Sequence, residues 1–204
     1  MPGFPAVEDL VEEVVPIRGR DFSIMRPRDA DALLSDEAFD HEEFLPYWAE
    51  LWASGRALAD TVLARSLRGA RVIEVGCGLA LPSLAAAVAG GRVVATDWSA
   101  EALSVVSSNA LRNSVAVDVA ELDWFAPVDV GFFDLVLAAD VLYEERNGAA
   151  LLDLLPSLGR EVWLADPGRV PAGRFFADAA RDWTVRATSH PAIPNGAVHK
   201  LRRR

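Results

Sequence analysis

Arg71-Val-Ile-Glu-Val-Gly-Cys-Gly-Leu79 decides the architecture of this chain. Its first five residues are a short, mostly apolar run with the composition of a strand buried in a parallel sheet, and the run stops on glycine. Leu81 to Ala89 is Ala-rich and uncharged, which predicts a helix ended by Gly90-Gly91. Arg92 to Thr96 is a second strand that closes on Asp97. Strand, glycine turn, helix and strand in succession make a unit of two parallel strands with a right-handed crossover.

The alternation continues outward from this unit. Ser99 is a natural N-cap for a helix over Ala100 to Leu111. Strands are expected at Val115 to Val119, Phe133 to Ala138 and Glu161 to Ala165, with helices at Ala149 to Leu158 and Phe175 to Arg181. Val185 to Ser189 and Val198 to Leu201 read as two closing strands. Upstream, Leu51, Leu58, Val62, Leu63 and Leu67 recur at helical spacing before Gly69. Val11 to Ile17 and Phe22 to Met25 flank Gly19 as a hairpin, and the acidic stretch Asp29 to Glu43 reads as a short helix and loop. The expected fold is therefore α/β: a Rossmann-like, seven-stranded, mostly parallel sheet with helices on both faces over 46–204. An extension over 1–45, a β-hairpin and a short helix, would pack on it. A length of 204 residues suits one such globular unit.

Composition narrows the function. Hydrophobic residues make up 51%, which argues against global disorder. The net charge of -10 argues against general binding of nucleic acid or an anionic membrane, since phosphate attraction needs a basic face. Cys77 is the only cysteine, and His41, His190 and His199 lack ligand spacing, so neither a disulfide nor a metal site is expected. Met1 to Glu8 shows no basic segment followed by an apolar run, and Leu79 to Gly91 is too short to cross a bilayer. These features predict a cytoplasmic protein, a monomer or weak dimer.

Ligands of such sheets bind beyond the carboxyl ends of the strands. Those ends are Gly76-Cys77-Gly78, Asp97, Leu122-Asp123-Trp124, Ala139-Asp140 and Asp166-Pro167-Gly168. Four of the five carry a carboxylate, an arrangement that like-charge repulsion disfavours in a purely structural sheet. Glycines at the first end let a ligand approach the backbone. The turn departs from the dinucleotide pattern, because Leu81 stands where a small residue would let the helix pack closely. No Lys-Ser/Thr follows the glycines, so the turn is not a P-loop. Glu74 inside the strand suits a cationic ligand head. Asp97, 21 residues beyond Gly76, reads as an acceptor for ribose hydroxyls or as an acidic helix-entry residue.

Glu74-Val-Gly-Cys-Gly-Leu79 followed by Ala95-Thr-Asp97 resembles the class I S-adenosylmethionine-dependent methyltransferases. Pro46-Tyr-Trp-Ala-Glu-Leu-Trp-Ala-Ser-Gly-Arg-Ala-Leu-Ala59, Leu122-Asp-Trp124 and Asp140-Val-Leu-Tyr143 are together similar to the family 16, seven-β-strand protein-lysine methyltransferases. Asp166-Pro-Gly-Arg169 resembles the branch that methylates the electron-transfer-flavoprotein β-subunit. The resemblance runs over about residues 44 to 170, with its motifs in the family's order.

The resemblance implies a pocket for S-adenosyl-L-methionine. Gly76 and Gly78 would run beside the amino-acid moiety, with Glu74 near its ammonium or the backbone amides. Asp97 would hold the ribose and Trp98 would lie against the adenine. Asp123 would accept from the adenine amino group, Trp124 would cover the ring, Trp52 would close the cofactor in and Ala139 would line the floor. Asp140 and Tyr143 are implied as the catalytic pair at the substrate lysine, with Tyr47 and Arg169 at the substrate entrance. Neutralising a lysine ammonium at pH 7 costs about 4.6 kcal/mol, a cost that a dry pocket lowers. The expected activity is protein-lysine N-methylation, with methylation of a small amine or nitrogen heterocycle, or a catalytically silent cofactor-binding module, as alternatives. A nicotinamide-dependent oxidoreductase is disfavoured by Leu81.

Overall fold

The structure, a computed structural model, describes residues 7–30, 33 and 46–204. The expected short helix over the acidic stretch lies mostly outside the described residues. Strands β1 (Leu10–Ile17) and β2 (Arg20–Pro27) form an antiparallel hairpin turning at Arg18-Gly19, both at positive φ. Helix α1 (Ala53–Leu63) leads into β3 (Arg71–Val75), α2 (Leu81–Val88) and β4 (Arg92–Asp97). Then come α3 (Ala100–Arg112), β5 (Val117–Glu121), β6 (Leu135–Ala139), α4 (Glu145–Leu158), β7 (Glu161–Asp166) and α5 (Val170–Ala179). The described chain ends on β8 (Trp183–His190) and β9 (Ile193–Arg203).

Strands β3 to β9 form a seven-stranded sheet in the order β5-β4-β3-β6-β7-β9-β8. Strands β3 to β7 are mutually parallel, and β9 inserts antiparallel between β7 and β8. Side chains alternate along a strand, so β3 serves both faces. Val72 joins the core built with α1 and α2, while Ile73 and Val75 join the core built with α4 and α5. The hairpin contributes Val15, Ile17, Phe22 and Ile24 to the first of these cores.

Asn109 on α3 and Asn113, the residue capping its C-terminus, complete the open edge of β2. Asn109 Oδ1 accepts from Met25 N at 2.7 Å while its Nδ2 donates to Met25 O at 3.2 Å. Asn113 does the same for Ser23, at 3.0 and 2.7 Å. These side-chain amides stand in for a missing strand and satisfy backbone groups that would otherwise be orphaned.

The sequence boundaries need adjustment at several elements, among them β6, which begins at Leu135 and not at the expected Phe133. Helix α4 begins at Glu145, before the expected Ala149, and α5 begins at Val170, before Phe175. Pro171 suits the first turn of α5, where a missing N–H costs nothing. Strand β5 lies two residues later than expected, and the closing strands are longer. Ser99 caps α3 as expected, its Oγ accepting from Ala102 N at 3.1 Å. The order reverses at β3, whose neighbours β4 and β6 are reached by connections running opposite ways, and a crevice opens there beyond the strand ends.

Candidate active site

That crevice is a cavity of about 280 Å³, close to the lower end of the about 300–1,000 Å³ typical of small-molecule sites. Its floor is the turn after β3. Gly76 has φ 62° and Gly78 has φ 49°, the left-handed region that side chains disfavour. A Cβ on Gly76 would stand 2.6 Å from Trp124 Cζ2, and one on Gly78 would stand 3.1 Å from the Trp48 carbonyl. The glycines therefore bring the backbone against Trp124 and the segment before α1. Cys77 is buried between them, and burial first, then Asp97 and Glu74, push its thiol pKa up, as for an inert filler.

Two carboxylates reach this floor. Glu74 is 1% exposed; its Oε2 accepts from Ser83 N at 2.8 Å and from the Ser83 hydroxyl at the start of α2. Burial pushes its pKa up from 4.5 to about 8, against the opposing pull of the Ser83 bonds. Asp97 is also buried, with Oδ2 accepting from Gly78 N at 2.9 Å and Oδ1 from Ser99 N at 3.1 Å. Its pKa is raised by burial despite those bonds. Trp98, about half exposed, lines the cavity beside Asp97.

The mouth is built by β6, the β7–α5 turn and the segment before α1. Asp140 adopts φ 60°, a strained conformation for a non-glycine residue that aspartate tolerates better than most. Its N–H donates to Ala165 O at 3.0 Å, and the left-handed residue turns the chain so that Asp140 and Tyr143 both face the cavity without a helical turn between them. Asp140 Oδ1 accepts twice from Arg169, from Nε at 2.9 Å and Nη2 at 2.6 Å. The same guanidinium lies 5.6 Å above the Trp52 ring. Trp52 Nε1 donates to Tyr47 O at 2.8 Å, and the Tyr47 and Tyr143 rings stand 5.2 Å apart. Burial raises the Tyr143 pKa.

Of the residues assigned in the sequence to the cofactor, the substrate or catalysis, Asp123 is the one that does not line the cavity. It is exposed, and its Oδ1 accepts from Phe125 N at 2.8 Å. Asp166 Oδ1 likewise accepts from Gly168 N at 2.7 Å and Arg169 N at 2.8 Å, and Asp166 is not in the lining. The four strand-end acids therefore do not form one cluster: Asp123 and Asp166 each lock a local Asx-type turn, which relieves the repulsion argued from sequence. Trp48, Ala80 and Val141 also line the cavity. Ala80, at φ 58°, had no sequence signal, whereas Trp48 lies inside the Pro46-to-Ala59 motif.

Sheet order and crevice together define a Rossmann-like methyltransferase fold. The 16S rRNA N2 G1207 methyltransferase RsmC of T. thermophilus, solved with AdoMet and guanosine, superposes with a TM-score of 0.70 over 97% of this chain and 52% of that one. Identity there is 12%, a likeness of fold. The family model for lysine methyltransferases matches residues 47–162, more than half of the chain, and the chain belongs to that family. Protein N-lysine methyltransferase METTL21A of Danio rerio is 39% identical over 100 residues, 45% of each chain. The electron transfer flavoprotein beta subunit lysine methyltransferase of Danio rerio is 31% identical over 61% of this chain and 51% of its own. A ubiquinone biosynthesis O-methyltransferase of Xanthomonas campestris is 33% identical over 69% of this chain and 59% of its own. The chain thus spans about half the length of the curated relatives it matches.

Proposed function

We propose that the chain uses S-adenosyl-L-methionine to methylate the side-chain amine of a lysine in a protein partner. The observation that carries this reading is the joint placement of Asp140 and Tyr143 at the mouth of the Gly76–Gly78 cradle in a chain of the lysine methyltransferase family.

The residues present suit the methyl donor. Two positive-φ glycines let the cradle backbone pack against Trp124 and Trp48, and Glu74 offers a buried carboxyl to an ammonium. Asp97, whose Oδ2 accepts from Gly78 N and Oδ1 from Ser99 N, offers its carboxylate to hydroxyl donors. Trp98 and Trp124 offer flat apolar faces to a base. Adenosylmethionine bound there would supply an electrophilic methyl to an amine lone pair, with the S–C electrons staying on sulfur and the amine proton passing to solvent. The protein's share is alignment and drying of the mouth. Asp140 Oδ2 takes no hydrogen bond among the described residues and is placed to accept an amine N–H, while Tyr143 and Tyr47 form its apolar wall. A protein-borne acceptor, in preference to a small molecule, is supported by the openness of the mouth. Tyr47 is 40% and Trp52 39% exposed, and Val170 beside Arg169 is 91% exposed.

The test is transfer of tritiated methyl from adenosylmethionine to a lysate of the source organism, with the modified site mapped by mass spectrometry. Label on a protein lysine is expected; label only in small molecules would overturn the protein assignment. Asp140→Asn keeps a residue that tolerates φ 60°. Its oxygen must turn to Arg169, leaving an NH₂ donor where Oδ2 stood. Turnover should fall about a hundredfold with S-adenosylhomocysteine binding retained. Undiminished turnover would remove Asp140 from the mechanism.

A further inference from the structure

A carboxylate ringed by three aromatic side chains is the chemistry of a cation site. Asp140, Trp52, Tyr47 and Tyr143 share the mouth of the cavity, yet a cation already stands there. Arg169 binds Asp140 through two N–H groups and lies over Trp52, with its side chain 32% exposed. It is held in place by its own backbone, whose N–H donates to Asp166 Oδ1 at the start of α5. An incoming lysine ammonium would meet this positive charge at hydrogen-bond range.

Building on the methyltransferase reading, we propose that Arg169 is the resident counter-ion of the acceptor site. It neutralises Asp140, so that the site admits an uncharged amine and disfavours the ammonium. Without Arg169, Asp140 would stabilise the ammonium, the form that has no lone pair and cannot attack. With it, the free Oδ2 still orients an amine N–H while the guanidinium lowers the amine's proton affinity. Arg169 is on this account a positioning residue, acting through Asp140. The other titratable groups at this mouth are Glu50, Glu144, Tyr47, Tyr143 and, behind the turn, Asp166. The three carboxylates are shared by every variant below, so they do not distinguish them.

The experiment titrates n-butylamine, the lysine side chain cut at its Cβ, into protein saturated with S-adenosylhomocysteine. Wild type should bind it weakly at pH 7 and more tightly as the pH rises and the neutral amine accumulates, about tenfold per pH unit. Arg169→Gln should bind the ammonium at pH 7 about tenfold or more tightly than wild type and lose most of the pH dependence. Arg169→Lys, which keeps the charge, should stay within a few-fold of wild type. Equal or weaker binding by Arg169→Gln, including no detectable binding by either form, overturns the proposal, because an arginine that merely clamps substrate would weaken binding when removed. Failure of wild type to bind S-adenosylhomocysteine at all would instead sink the methyltransferase reading.

Discussion

On the proposed reading, Glu74 should tie binding of the methyl donor to the loss of a proton. Its carboxyl lies between β3 and α2, burial pushes its pKa to about 8, and it is therefore largely protonated at neutral pH. An ammonium placed beside it favours the carboxylate, so binding must release the proton. With a free-protein value near 8 and an ordinary carboxylate value in the complex, affinity should rise about 25-fold between pH 6 and pH 7.5, with about 0.9 proton released per ligand at pH 7. The window stops at pH 7.5 because a free α-ammonium itself titrates near about 8. The same group acts on folding with the opposite sense of benefit. Its folded-state pKa is above the unfolded value of 4.5, so the contribution to stability is complete below about 4.5 and is lost as pH rises through about 8. The amplitude is roughly 5 kcal/mol at most. Calorimetric titration of S-adenosylhomocysteine in buffers of different ionisation enthalpy reads both affinity and proton release. Glu74→Gln should bind with no pH dependence in this window. A flat wild-type affinity without proton release, or a Glu74→Gln variant that keeps the wild-type slope, would refute the coupling.

Gly76→Ala should cost about 1–2 kcal/mol from its positive φ alone. It should also push Trp124 out of the cavity, because the new Cβ would lie 2.6 Å from that ring. Urea denaturation and tryptophan fluorescence check this, and an unchanged spectrum with unchanged stability contradicts it. His199 stacks on Phe176 with a buried, unpartnered Nδ1, and burial lowers its pKa from 6.5 to about 4. Its folded value lies below the unfolded one, so its contribution to stability is present above about 6.5 and lost as pH falls through about 4. Discounted for partial exposure, this is about 1–2 kcal/mol. The stability difference between wild type and His199→Phe should therefore shift by that amount between pH 7.5 and pH 4.5, and a constant difference would count against it.

The sheet was legible because its signals are local. Arg71–Val75 is buried at four of its five positions, and a strand buried on both faces is written as a mostly apolar run, here broken by the candidate site residue Glu74. Ser99 as a cap and the Gly19 hairpin are equally local, since each depends on backbone geometry within a few residues. The same locality explains why the ends of α4 and α5 were read too late: their first turns, Glu145 to Gly148 and Val170 to Arg174, carry too few regularly spaced apolar residues to show a period.

The composition of the site was also legible, residue by residue, but its pairings were not. Glycines and acids at strand ends announce a crevice because the topology of a parallel sheet dictates where strand ends meet. Capture by a backbone N–H two residues on, which happens to Asp97 as well as to Asp123 and Asp166, does not decide which acid turns inward. Asp97 lines the cavity with its second oxygen held by Gly78 N, 19 residues away. Likewise the ion pair between Asp140 and Arg169 joins two strand ends 29 residues apart, and Trp52 reaches it from before the sheet begins. Chain order determined which chemistry arrives at the mouth of this sheet. Only the packed structure decided which charges neutralise each other there, because Coulomb and hydrogen-bond energies depend on distances of a few ångströms that no spacing along the chain encodes.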